Sequence, residues 1–187
     1  ESEFESALKL CQSRAKSAFG DDRVFVEKYI EGAQHVEFQV LADGTNAIHF
    51  GERFCSIQRR HQKLIEEGPW LTDEKRAEVG ALVCAGAESV GYKGLATFEF
   101  LRDKNGDFYF LEVNPRVQVE HTVTELITGY NLVELGIRVA QGESLPVKQD
   151  DIKIRGHAIQ CRLNAEDTVN FAPSPGRLWE CHFPSGF

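Results

Sequence analysis

The chain has 187 residues, of which 42% are hydrophobic and 27% charged, a composition typical of a globular domain. This composition excludes collagen, coiled coil and intrinsic disorder, and no apolar run approaches the ~20 residues of a membrane-spanning helix. Because the formal net charge is -8, we expect neither nucleic acid nor a membrane as a partner, since both favour basic surfaces.

The five cysteines are spaced widely along the chain, with no C-x-x-C pair. This pattern indicates reduced thiols in the cytoplasm, or in a mitochondrial or plastid matrix, rather than disulfide bonds or a zinc site. The sequence has no methionine and opens on Glu1, from which we expect a fragment of a longer protein.

Hydrophobic periodicity and turn residues predict helices and strands in alternation. In chain order we expect a helix over 3–19, strands at 24–26, 36–40 and 47–50, a helix that Thr72 caps and Gly91 ends, strands at 96–101 and 107–113, a helix over 122–141 with a break at Gly129, and strand-like runs at 154–163 and 177–183. The strict alternation over 36–40 predicts a half-buried strand. Hairpins mixed with helices predict an α+β fold with antiparallel strands, and the composition changes near Pro146, where we expect a domain boundary.

The dipeptide Asn105-Gly106 is a strong signal for a two-residue hairpin turn. With such a turn Glu99 lies directly opposite Glu112, and Asn114 shares their face; a four-residue loop would place the two glutamates diagonally on that same face. Like charges in opposite positions of a sheet call for a cation, and oxygen ligands suit Mg²⁺ or Mn²⁺. The alternative is a solvated sheet face.

In the segment that follows this hairpin, every second residue is polar. If the chain stays extended, one side carries Glu112, Asn114, Arg116, Gln118 and Glu120. Arg116 offers a planar fork for a carboxylate, bicarbonate or phosphate, and Glu120 is a candidate general base. A solvent-facing edge with self-neutralising charges is the alternative.

A second polar run covers residues 55–63 and reads C-S-I-Q-R-R-H-Q-K. Its donors could hold the oxygens of an anion such as phosphate, and in an acidic protein we prefer that ligand to nucleic acid. A solvated loop or a basic surface patch explains the run equally well.

Taken together, these segments resemble the biotin carboxylase family, whose nucleotide-binding part has the ATP-grasp fold. The matching residues, in one collinear order, are 27–31 with 35–37, 53–63, 97–100 with 110–124, 155–167 and 173–176. The run N-P-R-V-Q-V-E-H that begins at Asn114 is the most specific of them. The resemblance implies that 1–29 is the end of the ATP-grasp lid subdomain and hinge. It makes 30–146 the C-terminal half of the ATP-grasp domain, and 147–187 the truncated start of the C-terminal domain of biotin carboxylase.

The resemblance also implies the reaction: ATP activates bicarbonate as carboxyphosphate, and the carboxyl group passes to biotin carried on another domain or subunit. Two divalent ions would lie at Glu99, Glu112 and Asn114, and Glu120 would deprotonate bicarbonate while Arg162 steadies the biotin enolate. The remaining roles are bicarbonate and phosphate contacts at Lys63, Arg116, Gln118 and Val119, an adenine-binding hinge at Glu27, Lys28, Tyr29 and Ile30, and nucleotide contacts at His35, Gln58 and His61.

The partners implied are a biotin carboxyl carrier protein or domain and a carboxyltransferase component, within a homo-oligomeric enzyme. The chain alone is expected to be inactive, because the family's glycine-rich phosphate loop precedes the matching region. Two other functions stay open: another ATP-grasp ligase, such as one that makes carbamoyl phosphate, and a non-catalytic ATP-grasp domain.

Overall fold

The computed structural model describes residues 2–177, 179, 180 and 182. The chain divides into two compact units, Glu1–Glu31 and Gly32–Phe187. The first contains helix α1 (Ser2–Phe19), as expected. Residues 24–26 form no strand, because no strand lies within this unit to accept their backbone hydrogen bonds. The strand-like run expected at 177–183 lies partly outside the described residues.

The second unit is a six-stranded sheet flanked by helices. Its elements are β1 (Gln34–Asp43), β2 (Ala47–Arg59), β3 (Gln62–Gly68), α2 (Asp73–Ser89), β4 (Lys93–Arg102), β5 (Phe108–Asn114), α3 (His121–Thr128), α4 (Leu132–Ala140), a 3₁₀ turn (Gln149–Asp151) and β6 (Ala158–Cys161). The strand order is β5-β4-β1-β2-β3-β6, and every neighbouring pair is antiparallel. The predicted α+β class with an antiparallel sheet is confirmed.

The helix boundaries follow local signals in the sequence. The Thr72 side chain accepts a hydrogen bond from the backbone N–H of Lys75 and so caps α2. Gly129 ends α3 in the left-handed region, at φ 77°, and Asn131 caps α4. The break predicted at Gly129 is therefore confirmed.

The β4–β5 hairpin contains two irregularities that offset each other. Its loop has three residues rather than two, since the Asp103 N–H donates to the Asp107 carbonyl and Gly106 has φ 94°. The Asp103 carboxylate accepts from the N–H groups of Asn105 and Asp107, which stabilises this wider loop. A bulge then shifts the register by one residue and pairs Glu99 with Glu112. The predicted pair is right, although the predicted two-residue turn is wrong.

Both faces of the sheet are covered. On one face Val36, Phe38, Val40 and Ala42 of β1 pack on Val79, Val83 and Ala87 of α2. On the other face Leu41, Ile48, Phe50 and Leu95 pack on Leu132, Leu135 and Val139 of α4. Glu37 and Gln39 lie on this second face and are buried too. The half-buried strand expected over 36–40 is thus buried on both sides. Its second side is polar at Glu37 and Gln39 and becomes apolar at Leu41.

A buried ion pair on the α2 face of the sheet joins β2 to α2 and to the segment that precedes it. Glu52 is fully buried and accepts from the Arg76 guanidinium at 2.7 and 3.1 Å, and from the N–H groups of Trp70 and Leu71. We expect Arg76→Met to lower the free energy of unfolding by about 3 kcal/mol, because a buried carboxylate would lose its countercharge. Urea denaturation measures this loss. The control is Lys75→Met, which removes an exposed pair with Glu78 and should cost less than about 1 kcal/mol; equal losses would contradict the expectation.

His49 gives the fold a pH dependence. Its ring lies against Gly80 of α2, where a Cβ would come within 2.3 Å of Nε2. Burial lowers the pKa of His49, and the attraction of Glu52 does not offset this. The unfolded chain therefore binds this proton first, and stability falls as pH drops below about 6.5, by up to ~1 kcal/mol per pH unit. In urea titrations from pH 8 to pH 5.5, His49→Gln should lose less stability than the wild type; parallel curves would exclude a role for His49.

Candidate functional site

The polar part of the second sheet face is organised around Lys63, at the start of β3. Its Nζ donates to Glu37, to Glu99 at 3.1 Å and to Glu120 at 2.8 Å, which come from β1, from β4 and from the N-terminus of α3. Burial alone would lower the pKa of Lys63, but the charge of Glu37 and the hydrogen bonds to Glu120 and Glu37 raise it. The ammonium therefore stays charged among three carboxylates.

Glu120 lies between two cations. Its Oε1 accepts from Lys63, and its Oε2 accepts from Nη2 of Arg162 at 2.8 Å. Arg162 follows β6, and its Nε donates to the buried Glu66 at 2.6 Å. Burial would raise the pKa of Glu120, but the hydrogen bond and charge of Lys63 lower it instead. The result is an ionised carboxylate between two cations whose positive charge attracts an anion. Together, Lys63, Glu37, Glu99, Glu120 and Arg162 are called the Lys63 cluster below.

The residues expected to bind metal lie next to one another. Nδ2 of Asn114 donates to Glu99 at 2.9 Å and to Glu112 at 3.1 Å, so a neutral amide bridges the two opposed carboxylates. Burial would raise the pKa of Glu99, but His35, Lys63 and Gln118 outweigh it and hold the pKa at about 2. An ionised buried Glu99 and an exposed Glu112 fit the preference of a hard divalent cation for carboxylate oxygen.

His35 and Gln58 join this group. Nε2 of His35 lies 2.7 Å from Oε2 of Glu99, and its Nδ1 lies 2.9 Å from the Gln58 amide nitrogen. Because an amide nitrogen only donates, the neutral ring carries its proton on Nε2, facing Glu99. His61 lies apart, exposed in the β2–β3 turn with φ 65°. The polar run 55–63 is thus a hairpin with a tight turn, not a loop.

The chain beyond Asn114 does not stay extended, so the predicted row of five polar side chains on one strand is wrong. The β4–β5 ladder ends at Asn114, because Pro115 has no N–H to continue it, and the Arg116 N–H donates back to the Asn114 carbonyl. Gln118 still reaches the cluster and donates to Glu99 at 2.8 Å. Arg116 and Val119 are exposed instead.

The four residues expected to bind adenine belong to the first unit. These are Glu27, Lys28, Tyr29 and Ile30, in a stretch without regular secondary structure. Tyr29 is 86% exposed. Their role stays a prediction.

A family model described as "Carbamoyl-phosphate synthase L chain, ATP binding domain" matches residues 1–148, which is most of the chain. The chain belongs to this family. Among its curated relatives, the biotin carboxylase of Allochromatium vinosum is 53% identical over 184 residues, covering 97% of this chain and 41% of that protein. One pyruvate carboxylase subunit of Methanothermobacter thermautotrophicus is 54% identical over 190 residues, covering 100% of this chain and 38% of that protein.

Solved structures of biotin carboxylases are also similar to this chain. The biotin carboxylase domain dimer of Hydrogenobacter thermophilus 2-oxoglutarate carboxylase, in complex with MgADP, ADP and bicarbonate, matches with a TM-score of 0.93 and 47% identity, over 100% of this chain and 42% of that one. The Campylobacter jejuni biotin carboxylase–β-γ-ATP complex matches with a TM-score of 0.93 and 48% identity, over the same shares. The resemblance to biotin carboxylases and their ATP-grasp fold is confirmed, and the chain spans about two fifths of the relatives' length.

The site predicted from the sequence lacks three charged residues that the structure buries there. They are Glu37, Arg53 and Glu66, each 0% exposed. Glu37 and Arg53 sit at paired positions of β1 and β2 and form an ion pair at 2.7 Å. One feature of the sequence could have indicated this pair: opposite charges, Glu37 and Arg53, occur in segments that form two neighbouring strands. Alternation of polar and apolar residues alone, however, suggests that the polar face of such strands is solvated.

A second arrangement of possible metal ligands also exists. One ligand atom each from His35, Glu37 and Glu99 lies within 4.8 Å of the other two. The Lys63 ammonium contacts and balances both carboxylates of this group, Glu37 and Glu99, whereas in the group of Glu99, Glu112 and Asn114 it contacts Glu99 alone. Glu99, Glu112 and Asn114 are therefore the better candidates for a metal ion.

A cavity of about 390 Å³ lies on the opposite side of the sheet, lined among others by His49, Arg76 and Gln149. The Arg76 guanidinium there is committed to Glu52, Asp73 and the Leu71 carbonyl. The Lys63 cluster is thus separated from this cavity by the sheet.

Among the described residues, no helix is long and apolar enough to cross a membrane.

Proposed function

We propose that the full-length protein containing this chain carboxylates carrier-bound biotin with bicarbonate, at the expense of ATP and through carboxyphosphate. The observation that carries the proposal is the Glu120 carboxylate, held at 2.8 Å by Lys63 and at 2.8 Å by Arg162. An ionised base between two cations suits an anionic substrate that must lose a proton. The similarity to biotin carboxylases supports the choice of biotin as acceptor.

In the proposed reaction Glu120 takes the proton of bicarbonate, and Lys63, Arg116, Gln118 and Val119 hold the anion and the phosphate. A bicarbonate oxygen then attacks the γ-phosphorus of ATP, the bond to ADP breaks, and carboxyphosphate forms. The Arg162 guanidinium, which donates to Glu120 at 2.8 Å, can stabilise the enolate that biotin becomes when its ring nitrogen loses a proton. The nitrogen attacks the carboxyl carbon, the bond between that carbon and the phosphate oxygen breaks, and phosphate leaves with the proton that the nitrogen lost.

We assign the divalent metal to Glu99, Glu112 and Asn114, as two ions of Mg²⁺ or Mn²⁺. When bound, such ions neutralise the charge of the ATP phosphates during phosphoryl transfer. Asn114 can turn its amide oxygen toward a cation, and Glu99 enters the site already ionised. The MgADP complex of the Hydrogenobacter thermophilus domain supports magnesium.

We assign nucleotide contacts to His35, Gln58 and His61. The role of an adenine-binding hinge for Glu27, Lys28, Tyr29 and Ile30 follows from the resemblance alone. We retain the domain limits 1–29, 30–146 and 147–187 as part of this proposal. In isolation this chain should bind magnesium nucleotide weakly at best, and calorimetry on the chain tests that.

The partners proposed are a biotin carrier protein or domain, a carboxyltransferase component and further copies of the enzyme. The dimer of the Hydrogenobacter thermophilus domain supports the last of these. A location in the cytoplasm, or in a mitochondrial or plastid matrix, agrees with the free thiols of Cys11, Cys55, Cys84 and Cys161.

A transfer assay distinguishes this function from that of another ATP-grasp ligase. The full-length protein is given ATP, magnesium and ¹⁴C-bicarbonate, with either biotin or ammonia as acceptor. We expect acid-labile label on biotin and no carbamoyl phosphate. Label in carbamoyl phosphate would overturn the proposal in favour of the carbamoyl-phosphate reaction. If neither biotin nor ammonia becomes labelled when ATP is present, the result favours a non-catalytic domain.

A further inference from the structure

We propose that Arg53 is a positioning residue that sets the spacing of Lys63 and Glu120 from beneath the site. The inference rests on the proposed function. Arg53 lies in β2 and is fully buried. Its guanidinium donates to side chains of three different elements: Glu37 at 2.7 Å, Gln39 at 2.9 Å, Thr97 at 3.4 Å and Thr124 at 2.8 Å.

The first arm of Arg53 acts through Glu37. Oε1 of this carboxylate accepts from Arg53, and Oε2 accepts from Lys63. Since both oxygens are engaged, the position of the guanidinium fixes the plane of the carboxylate. The plane of the carboxylate in turn fixes where the ammonium of Lys63 lies.

The second arm acts through α3. The hydroxyl of Thr124 accepts from Arg53 and is buried one turn after Glu120. Glu120 is the N-cap residue of α3, yet its side chain makes no capping hydrogen bond. Its carboxylate is instead turned to Lys63 and Arg162. Arg53 thereby anchors the helix turn that carries Glu120 to the strand that carries Glu37.

A simpler role for Arg53 is that of a countercharge that keeps Glu37 stable in the interior. Arg76 provides a matched comparison, since it also holds a buried glutamate, Glu52, on the other sheet face. The other partners of Glu52 are backbone N–H groups, whereas the other partner of Glu37 is Lys63. A purely structural role predicts that the two arginines behave alike.

The test uses the full-length protein and measures bicarbonate-dependent ATP hydrolysis by folded samples well below their melting temperatures. Arg53→Lys keeps the charge but cannot reach four partners, and Thr124→Val removes only the arm to α3. We expect both to lower kcat/KM for bicarbonate, by about 10- to 100-fold, with KM for ATP within about twofold of the wild type. Arg76→Lys should lower the melting temperature and leave kcat/KM for bicarbonate within about twofold.

Wild-type kcat/KM for bicarbonate in folded Arg53→Lys and Thr124→Val would overturn the inference, as would an equal loss in Arg76→Lys. If Arg53→Lys does not fold, Thr124→Val decides, because it leaves the ion pair with Glu37 intact. A wild-type protein without bicarbonate-dependent ATP hydrolysis would instead overturn the proposed function, and the inference with it. The two failures are therefore distinguishable.

Discussion

Replacement of Glu120 by glutamine is expected to lower bicarbonate-dependent ATP hydrolysis by the full-length protein about 100- to 10,000-fold. The amide keeps the size of the side chain but cannot accept the proton of bicarbonate. The fold should survive, because Lys63 keeps Glu37 and Glu99, and Arg162 keeps Glu66. Steady-state kinetics, with circular dichroism to verify folding, measure the effect.

The control for this variant is Glu78→Gln, which changes a 60% exposed carboxylate on α2 and should leave turnover unchanged. Hydrolysis by folded Glu120→Gln at a rate close to that of the wild type would show that Glu120 is not the base. In that case Glu66, which also contacts Arg162, would be the next carboxylate to examine.

Replacement of Lys63 by methionine is expected to have the largest effect on stability, a loss of about 3–5 kcal/mol in the free energy of unfolding. Without the ammonium, the carboxylates of Glu37, Glu99 and Glu120 lose the cation that they share. Urea denaturation at pH 7.5 measures the loss. Bicarbonate-dependent turnover should fall with it, since the same ammonium is proposed to hold the anion.

The pH dependence of this loss identifies its cause. Lys63 helps to hold the pKa of Glu99 and of Glu120 below the ordinary value, so both pKa values should rise in Lys63→Met. The folded variant then binds protons more readily than the folded wild type, and its stability deficit should shrink as pH falls from 7.5 toward 5. A deficit that is small, or constant with pH, would contradict the central place of Lys63.

The carboxylate pair was predictable from sequence because two features of the hairpin offset each other. Asn105-Gly106 correctly located the turn, and Gly106 supplies its positive φ. The extra loop residue depends on hydrogen bonds to the Asp103 side chain, and a bulge near Glu99 restores the register. Both depend on local geometry that a pairing rule does not contain, although Glu99 and Glu112 share a face in either case.

The buried polar residues beneath Lys63 and Glu120 were not predictable in the same way. Glu37 and Gln39 alternate with apolar residues as they would in a strand with one solvated side, and no local pattern reveals that Arg53 of β2 binds both of them in the interior. Only tertiary packing places Thr124 over Arg53. The resemblance to biotin carboxylases assigned roles to Lys63, Glu120 and Arg162, which the structure brings together, but it assigned no role to Glu37, Arg53 or Thr124.

The fate of a bicarbonate oxygen shows whether the protein forms carboxyphosphate. The full-length protein is supplied with ATP, magnesium, biotin and ¹⁸O-labelled bicarbonate, and the phosphate released is analysed by mass spectrometry. If bicarbonate is activated as carboxyphosphate at the Lys63 cluster, each phosphate carries one labelled oxygen, and Glu120→Gln forms this labelled phosphate about 100- to 10,000-fold more slowly. Phosphate that takes its new oxygen from water alone would contradict the account.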